Sequence, residues 1–201
     1  MSMLRRCLLM LYLGSLLIAL PALAEPAHKL LAGEASAVNP RYLLIGPDGQ
    51  AVSDQDWRGR FQLIAFGYTY CPDICPTTLV DMAELLKQLG PDADRVQGIF
   101  ISVDPERDTP RVLQTYTRFF DARILGLSGT PELVQRAARN YRVRYAKVAG
   151  KDAKNYAVDH SAGLYLLDPA GQFVKKFAYG RPVDEILAEL RVFLSTFETQ
   201  R

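Results

Sequence analysis

Cysteine is scarce in this sequence, with three residues among 201. Cys7 lies within an apolar amino-terminal run, so Cys71 and Cys75 are the pair expected in the folded part of the chain. A domain of this length buries an ordinary hydrophobic core without disulfides, whereas small exported domains are often held together by them. The scarcity argues against a scaffold that depends on disulfides, and it leaves Cys71 and Cys75 for chemistry.

The sequence also lacks a strong excess of charge of one sign. Its 24 basic and 22 acidic residues give a formal charge of +2, and removal of residues 1–24 would leave 22 of each. Because nucleic-acid-binding domains usually carry a concentrated basic surface, we expect no nucleic-acid partner. No internal repeat or low-complexity tract interrupts the chain, and the length predicts one domain.

Long hydrophobic runs are confined to the amino terminus. Arg5 and Arg6 precede an apolar run over about residues 7–20, and small residues follow up to Ala24. This order is typical of an export signal, and the run is short for a membrane span, which needs about 20 residues. We predict a signal peptide over 1–24 that is cleaved after Ala24, with an uncleaved membrane anchor as the alternative. Both place the domain outside the cytoplasm.

The rest of the chain alternates strand and helix patterns. Residues 25–39 show no sustained periodicity and predict a linker, and the domain is expected over 40–201. The patterns predict, in order, a hairpin within 42–52, a buried strand at 61–67, a helix with an apolar face from Leu79 to Leu89, a strand at 96–103, a helix at 110–120, a short strand at 124–127, a helix at 131–141, a hairpin within 163–178 and a helix at 183–197. This order predicts a thioredoxin-like α/β fold with an extra amino-terminal β-hairpin.

Cys71 and Cys75 directly follow the strand predicted at 61–67, within the sequence GYTYCPDICP at 67–76. In a parallel sheet this position is the carboxyl edge, where sites usually lie. Pro76 is suited to the first turn of a helix, which places Cys75 at the helix start. Free backbone N–H groups and the helix dipole would there favour the thiolate and lower the pKa of Cys75.

Three interpretations of the cysteine pair compete: an inert disulfide, a redox-active dithiol and two ligands of a metal. The pair alone does not separate them. A spacing of two residues would have favoured redox chemistry, whereas three intervening residues let both sulfur atoms face one ion. Structural zinc sites normally use four protein ligands, and residues 25–201 offer two cysteines and two histidines, so zinc is not favoured.

His160 decides between these interpretations if it reaches the cysteine loop. It lies just ahead of the strand predicted near Gly163, a junction that a thioredoxin topology places beside the dithiol. Two thiolates and an imidazole suit both Cu(I) and Cu(II). A thioredoxin-type oxidoreductase would be expected to have a cis-proline at this junction, and none is present. A histidine at such a junction is, however, often an ordinary surface or core residue, and both interpretations stand on the residues alone.

Three segments together resemble the Sco/SenC family. They read GYTYCPDICP at 67–76, SVDPERDTP at 102–110 and VDHS at 158–161. The resemblance covers about residues 40–197, and no departure from the family pattern is seen at Cys71, Cys75 or His160. It implies a thioredoxin-like copper protein, with those three residues as the metal ligands, that helps to load the dinuclear copper centre of subunit II of cytochrome c oxidase.

The resemblance also implies partners and a compartment. The expected partners are subunit II of the oxidase and a periplasmic copper donor or thioredoxin-like reductant, and the expected location is the periplasm, with or without attachment to the inner membrane. The family is also credited with thiol-disulfide exchange and redox signalling. The alternative function is therefore a thiol-disulfide reductase or redox sensor in which Cys71 and Cys75 are the catalytic pair, and whether the chain is an enzyme stays open.

Several neighbours of the three residues carry weaker expectations. Tyr68 and Tyr70 are expected to form walls of the site. Asp159 either orients the imidazole of His160 or forms a turn, and Asp104 and Asp108 either tune the site or partner surface or cap local turns. Two further potential metal ligands are expected to lie elsewhere: Met82 on the apolar face of its helix, and His28 in the linker.

Overall fold

A computed structural model of the protein describes residues 38–150 and 155–198. The predicted signal peptide and His28 lie outside the described residues. In chain order the helices and strands are β1 (Leu43–Ile45), β2 (Ala51–Ser53), β3 (Phe61–Gly67), α1 (Ile74–Gln88), β4 (Val96–Ser102), α2 (Pro110–Phe120), β5 (Ile124–Leu127), α3 (Pro131–Asn140), β6 (Tyr145–Val148), β7 (Ala157–His160), β8 (Leu164–Leu167), β9 (Phe173–Phe177) and α4 (Val183–Glu198).

The central sheet has the strand order β5-β4-β3-β8-β9. Strands β3, β4 and β5 are parallel, and β8 and β9 complete the sheet in antiparallel pairs. Strands β1 and β2 form a separate antiparallel hairpin. The βαβ unit followed by a hairpin and a terminal helix is the predicted thioredoxin-like order, with the predicted extra hairpin in front of it.

Strands β3 and β4 lie in the interior of the sheet because their sequences are largely apolar. Every residue of β3 and β4 is buried, as expected for parallel strands covered on both faces. The amide of Gln62 is the polar exception in β3, and it accepts a hydrogen bond from the Tyr42 hydroxyl at 2.9 Å and donates one to the Asp54 carbonyl at 3.1 Å. These bonds satisfy the buried amide and connect the chain on either side of the β1–β2 hairpin to the sheet.

The helices begin where local chemistry predicts. The hydroxyls of Thr109 and Thr130 cap α2 and α3, and a proline occupies the first turn of each helix. Helix α1 buries one apolar face, and Met82 is fully buried on it, which confirms that this methionine is a core residue. Gly90, with a φ of +59°, directly follows Leu89, the C-cap residue of α1.

The hairpin formed by β6 and β7 is an element that the sequence patterns did not predict. It is a separate two-stranded sheet in which Tyr145 is opposite His160 and Val148 is opposite Ala157. Most of β6 is exposed, so it lacks the alternation of polar and apolar residues that reveals a half-buried strand. His160 therefore ends a strand rather than lying in a loop.

No helix within residues 38–150 and 155–198 combines the length and the apolar character that crossing a bilayer requires.

An ion-pair cluster joins helix α4 to strand β9. Glu189 in α4 accepts hydrogen bonds from Lys175 at 2.7 Å and from Arg181 at 2.5 Å. Burial favours a higher pKa for Glu189, but the hydrogen bonds from Lys175 and Arg181 outweigh it, so this pKa lies below its ordinary value. The carboxylate therefore stabilises the fold above the unfolded-state pKa, and this contribution is lost as the pH falls through the lower folded-state value.

We expect Glu189→Gln to lower the free energy of unfolding by about 0.5–1 kcal/mol at pH 7, the range of partly exposed ion pairs. The difference from the wild type should be smaller at pH 3, because the contribution of the carboxylate decreases as the pH falls below the unfolded-state pKa toward the lower folded-state value. Urea unfolding at both pH values measures this. An equal difference at the two pH values would show that the charge of Glu189 is not the cause.

Candidate metal centre

The cysteine loop leaves the carboxyl edge of the central sheet, as predicted. Strand β3 ends at Gly67, next to the end of β4 at Ser102, and α1 begins seven residues later at Ile74. Cys71 is partly exposed in this loop, and Cys75 lies in the first turn of α1 with 1% of its surface accessible. The two sulfur atoms therefore differ in access to solvent.

The prediction that the helix start lowers the pKa of Cys75 is wrong. Burial raises this pKa well above its ordinary value, and a hydrogen bond with Cys71 raises it further. The backbone N–H of Cys75, in the first turn of α1, points at the Cys71 sulfur at 3.4 Å. Cys71, just before the helix, thus receives a helix-start N–H group of the kind expected to favour the thiolate of Cys75.

His160 reaches the cysteine loop. Its Nε2 atom is 3.2 Å from the Cys75 sulfur, and its Nδ1 atom is 3.2 Å from the Ser161 carbonyl oxygen. A carbonyl accepts hydrogen bonds only, so Nδ1 carries the proton and the Nε2 lone pair faces the sulfur. Burial lowers the pKa of His160, which favours the neutral imidazole that metals require.

The ligand atoms of Cys71, Cys75 and His160 all lie within 4.8 Å of one another. Among residues 38–150 and 155–198, these three residues form the one set of at least three cysteine, histidine or acidic side chains that lie close enough together to bind a single metal ion. A set of two sulfurs and one nitrogen suits soft metals and copper. It falls one ligand short of the four that structural zinc sites normally use.

Tyr68 forms a wall of the site, as expected. It is 3% exposed, its ring meets the His160 ring edge-on at 5.9 Å between centroids, and its hydroxyl accepts the backbone N–H of Val158 at 3.1 Å. Tyr70 differs from the expectation, because 64% of its surface is exposed and its ring faces the guanidinium of Arg107 at 4.7 Å. Tyr68 therefore shields the histidine, whereas Tyr70 is largely exposed to solvent.

Asp108 is buried and holds the cysteine loop against β4. Its carboxylate accepts the backbone N–H and the hydroxyl of Thr69 at 3.0 and 2.5 Å, and the hydroxyl of Ser102 at 2.7 Å. Burial raises the pKa of Asp108, although the bonds from Ser102 and Thr69 oppose this effect. The residues alone favour turn capping by Asp108 at least as strongly as a role in the site, whereas the structure shows that Asp108 supports the cysteine loop over a long range.

Asp104 supports the segment that carries the histidine. It is fully buried, and its carboxylate accepts hydrogen bonds from Arg107 and from the Tyr156 hydroxyl at 2.6 Å. Asp159, in contrast, is exposed, and the hydrogen bond at Nδ1 of His160 goes to a carbonyl instead. Asp104 and Arg107 belong to the motif SVDPERDTP, which draws attention to them. The motif does not reveal that both contact Tyr156, which lies 52 and 49 residues further along the chain.

Comparisons with known proteins add independent information. Mouse SCO2 homologue, a mitochondrial protein, is 38% identical over 160 residues, which are 79% of this chain and 63% of the mouse protein. The chain thus covers less than two thirds of that relative.

Two solved structures have a similar fold. Bradyrhizobium japonicum ScoI with copper bound is 44% identical, has a TM-score of 0.72 and aligns with 78% of this chain and 99% of its own. BsSco, described with a disulfide switch as a member of the Sco family of cytochrome c oxidase assembly proteins, is 25% identical, with a TM-score of 0.60 over 77% of this chain and 92% of its own.

The family model SCO1/SenC matches residues 32–195. This range contains the three motifs, the thioredoxin-like sheet and the cluster of Cys71, Cys75 and His160. The chain therefore belongs to the SCO1/SenC family.

Proposed function

We propose that this protein carries one copper ion on Cys71, Cys75 and His160 and delivers it during assembly of cytochrome c oxidase. The observation that carries the proposal is the convergence of two sulfur atoms and one imidazole nitrogen within 4.8 Å. The structure of Bradyrhizobium ScoI with copper bound supports it. Thiolates favour Cu(I), and the imidazole also accommodates Cu(II).

The three residues have different tasks in this proposal. Cys75, which is buried, and His160, which is half-buried, hold the ion on the protein side, because their ligand atoms are already 3.2 Å apart. Cys71 is partly exposed, so a thiolate of the receiving protein would reach the copper from this side. Transfer would then be a ligand exchange in which the partner's thiolates replace those of the carrier, with no net oxidation or reduction.

The proposed client is subunit II of cytochrome c oxidase, whose dinuclear centre takes copper. BsSco is described as belonging to a family of oxidase assembly proteins, which supports a client in the oxidase. The export signal predicted over 1–24 supports a periplasmic location, soluble or attached to the inner membrane. A copper donor or a thioredoxin-like reductant of the same compartment would act before the transfer.

A second candidate function is thiol-disulfide exchange by Cys71 and Cys75. The disulfide switch described for BsSco favours it, and so does the contact of the Cys75 N–H with the Cys71 sulfur. Exchange would oxidise the two thiols to one disulfide while a disulfide of the client is reduced to two thiols. Once a thioredoxin-like reductant has converted the resulting Cys71–Cys75 disulfide back to two thiols, the same pair can bind copper and pass it to the client's reduced cysteines, so the functions are compatible.

An anaerobic titration tests the copper proposal. The reduced protein is titrated with Cu(I) against a competing chelator, with His160→Ala beside the wild type and Asp159→Asn, an exposed neighbour in β7, as the control. We expect one equivalent of tightly bound Cu(I), affinity about 100-fold lower in His160→Ala because one ligand of three is lost, and no change in the control.

Two results would contradict the proposal. Weak binding of Cu(I) by the wild type would rule out a role as a copper carrier. Equal Cu(I) affinity in the wild type and His160→Ala would show that His160 is not a ligand, and thiol-disulfide exchange would then be the main function.

A further inference from the structure

The hairpin that presents His160 lies outside the central sheet. Strands β6 and β7 pair only with each other in the described structure, and residues from Tyr145 to Val148 are mostly exposed. A two-stranded hairpin has little stability of its own in water. The position of His160 relative to the cysteine loop must therefore depend on side-chain contacts between the hairpin and the rest of the domain.

Arg107 provides several contacts with the segment that leads into this hairpin. Its guanidinium carbon lies 3.6 Å from the centre of the Tyr156 ring and 4.7 Å from the centre of the Tyr70 ring. One guanidinium nitrogen donates to the Tyr156 carbonyl oxygen at 2.9 Å. Arg107 thus lies between the segment that leads into β7 and the loop that contains Cys71.

Asp104 holds this arginine in place through an ion pair. Its carboxylate accepts hydrogen bonds from the Arg107 Nε atom and from the Tyr156 hydroxyl, and the side chains of Asp104 and Arg107 are 0% and 13% exposed. A planar guanidinium can stack on two rings and still donate to a carboxylate and a carbonyl, whereas a lysine ammonium cannot reproduce this geometry. Asp104, Arg107, Tyr156 and Tyr70 are called the arginine cluster below.

The arginine cluster is connected to the histidine by a short path. Two residues beyond Tyr156, the backbone N–H of Val158 donates to the Tyr68 hydroxyl at 3.1 Å, and Tyr68 packs edge-on against His160. Arg107 lies over the Tyr68 ring as well, at 5.7 Å. Tyr68 thus contacts β7 at both Val158 and His160, and Arg107 touches Tyr68.

We propose that Arg107 is a positioning residue for the copper site, which holds the His160 hairpin against the cysteine loop so that the imidazole meets the two sulfurs. This inference rests on the proposed function for its copper readout. Arg107 does not bind the ion in this arrangement, and its whole effect on affinity passes through His160. The chemistry of Cys71 and Cys75 needs no contribution from Arg107.

A double-mutant cycle tests this inference. Arg107→Lys, His160→Ala and the double variant are titrated with Cu(I) against a chelator, with Arg118→Lys as the control because Arg118 is exposed on α2. We expect Arg107→Lys to weaken binding about tenfold, the lower end for residues that orient a metal ligand. In the double variant the affinity should equal that of His160→Ala alone, because a residue that acts through the histidine has no effect without it.

A second readout needs no copper. In the metal-free protein, ¹⁵N NMR of the His160 ring should show one tautomer, protonated at Nδ1, as the contact with the Ser161 carbonyl requires. Arg107→Lys should shift the ring toward averaged tautomers, and Arg118→Lys should not. Tyr156→Phe keeps the ring and loses only its hydrogen bond to Asp104, and it should shift the His160 tautomers in the same direction. This variant keeps the test valid if Arg107→Lys fails to fold.

The outcomes separate this inference from the proposed function. Wild-type affinity and an unchanged ring spectrum in Arg107→Lys, together with weak binding by His160→Ala, would overturn the inference alone. Effects of Arg107→Lys and His160→Ala that add in the double variant would also overturn it, because Arg107 would then act elsewhere. If His160→Ala bound copper normally, the proposed three-ligand site would fail, and the ring spectrum would still decide whether Arg107 positions the histidine.

Discussion

Iodoacetamide should modify Cys71 about a thousand times faster than Cys75 in the reduced, metal-free protein. Cys71 is partly exposed, whereas Cys75 is 1% exposed in the first turn of α1. Burial also raises the pKa of Cys75, so its thiol is protonated at neutral pH, and the thiolate is the reactive form. Reaction at Cys75 then needs local opening, and an opening cost of about 4 kcal/mol corresponds to this ratio.

Timed alkylation followed by peptide mass spectrometry measures the two rates. Cys71→Ser shows whether Cys75 stays protected when its neighbour cannot react, and protein unfolded in urea should lose the difference between the sites. Equal rates in the folded protein, or a faster Cys75, would contradict the structure at this position. The expected result assigns the first attack of any thiol exchange to Cys71, with Cys75 as the resolving thiol.

Gly67→Ala should lower the free energy of unfolding by about 3 kcal/mol, the upper end for overfilling a packed core. A methyl group at this position would lie 2.6 Å from the Cys75 sulfur and 2.8 Å from the Phe100 ring. Both side chains are buried, at 1% and 0% exposure, so neither can move into solvent. The cysteine must shift relative to His160, and the copper affinity should fall together with the stability.

Gly129→Ala is the matched control for this substitution. The nearest atom to its added methyl group, Cβ of Leu133, is 3.3 Å away, a contact that a small adjustment relieves. Chemical unfolding and Cu(I) titration of both variants give the comparison. If the two substitutions had the same effect on stability and on affinity, the close approach of the β3 backbone to the Cys75 sulfur would not explain why glycine occupies position 67.

Most of the fold could be predicted because its signals are local. The continuous apolar run at 61–67 fits a strand buried on both faces, and the Thr-Pro pairs at 109–110 and 130–131 fix two helix starts. The β6–β7 hairpin was missed because it is stabilised by contacts with the domain rather than by its own pattern. The same dependence makes Arg107 important in our proposal.

The state of the cysteines could be predicted only in part. The sequence placed Cys75 at a helix start, and the structure agrees. The predicted direction of its pKa was wrong, because helix dipole and desolvation act in opposite senses and the depth of burial decides between them. Burial is a property of the packed core around Gly67 and Phe100, which no local pattern of residues reports.

By itself, the sequence determined the order of the strands and helices other than the β6–β7 hairpin, the position of the cysteine pair at the edge of the sheet and the three motifs of the family. These follow from periodicity, turn chemistry and residue identity, which are all short in range. Only the tertiary structure decided that Nε2 of His160 lies 3.2 Å from the Cys75 sulfur across 85 residues, and that two buried aspartates support the segments that carry these ligands. Such contacts depend on how distant segments pack, because each buried polar group must find a partner that is near in space and far along the chain.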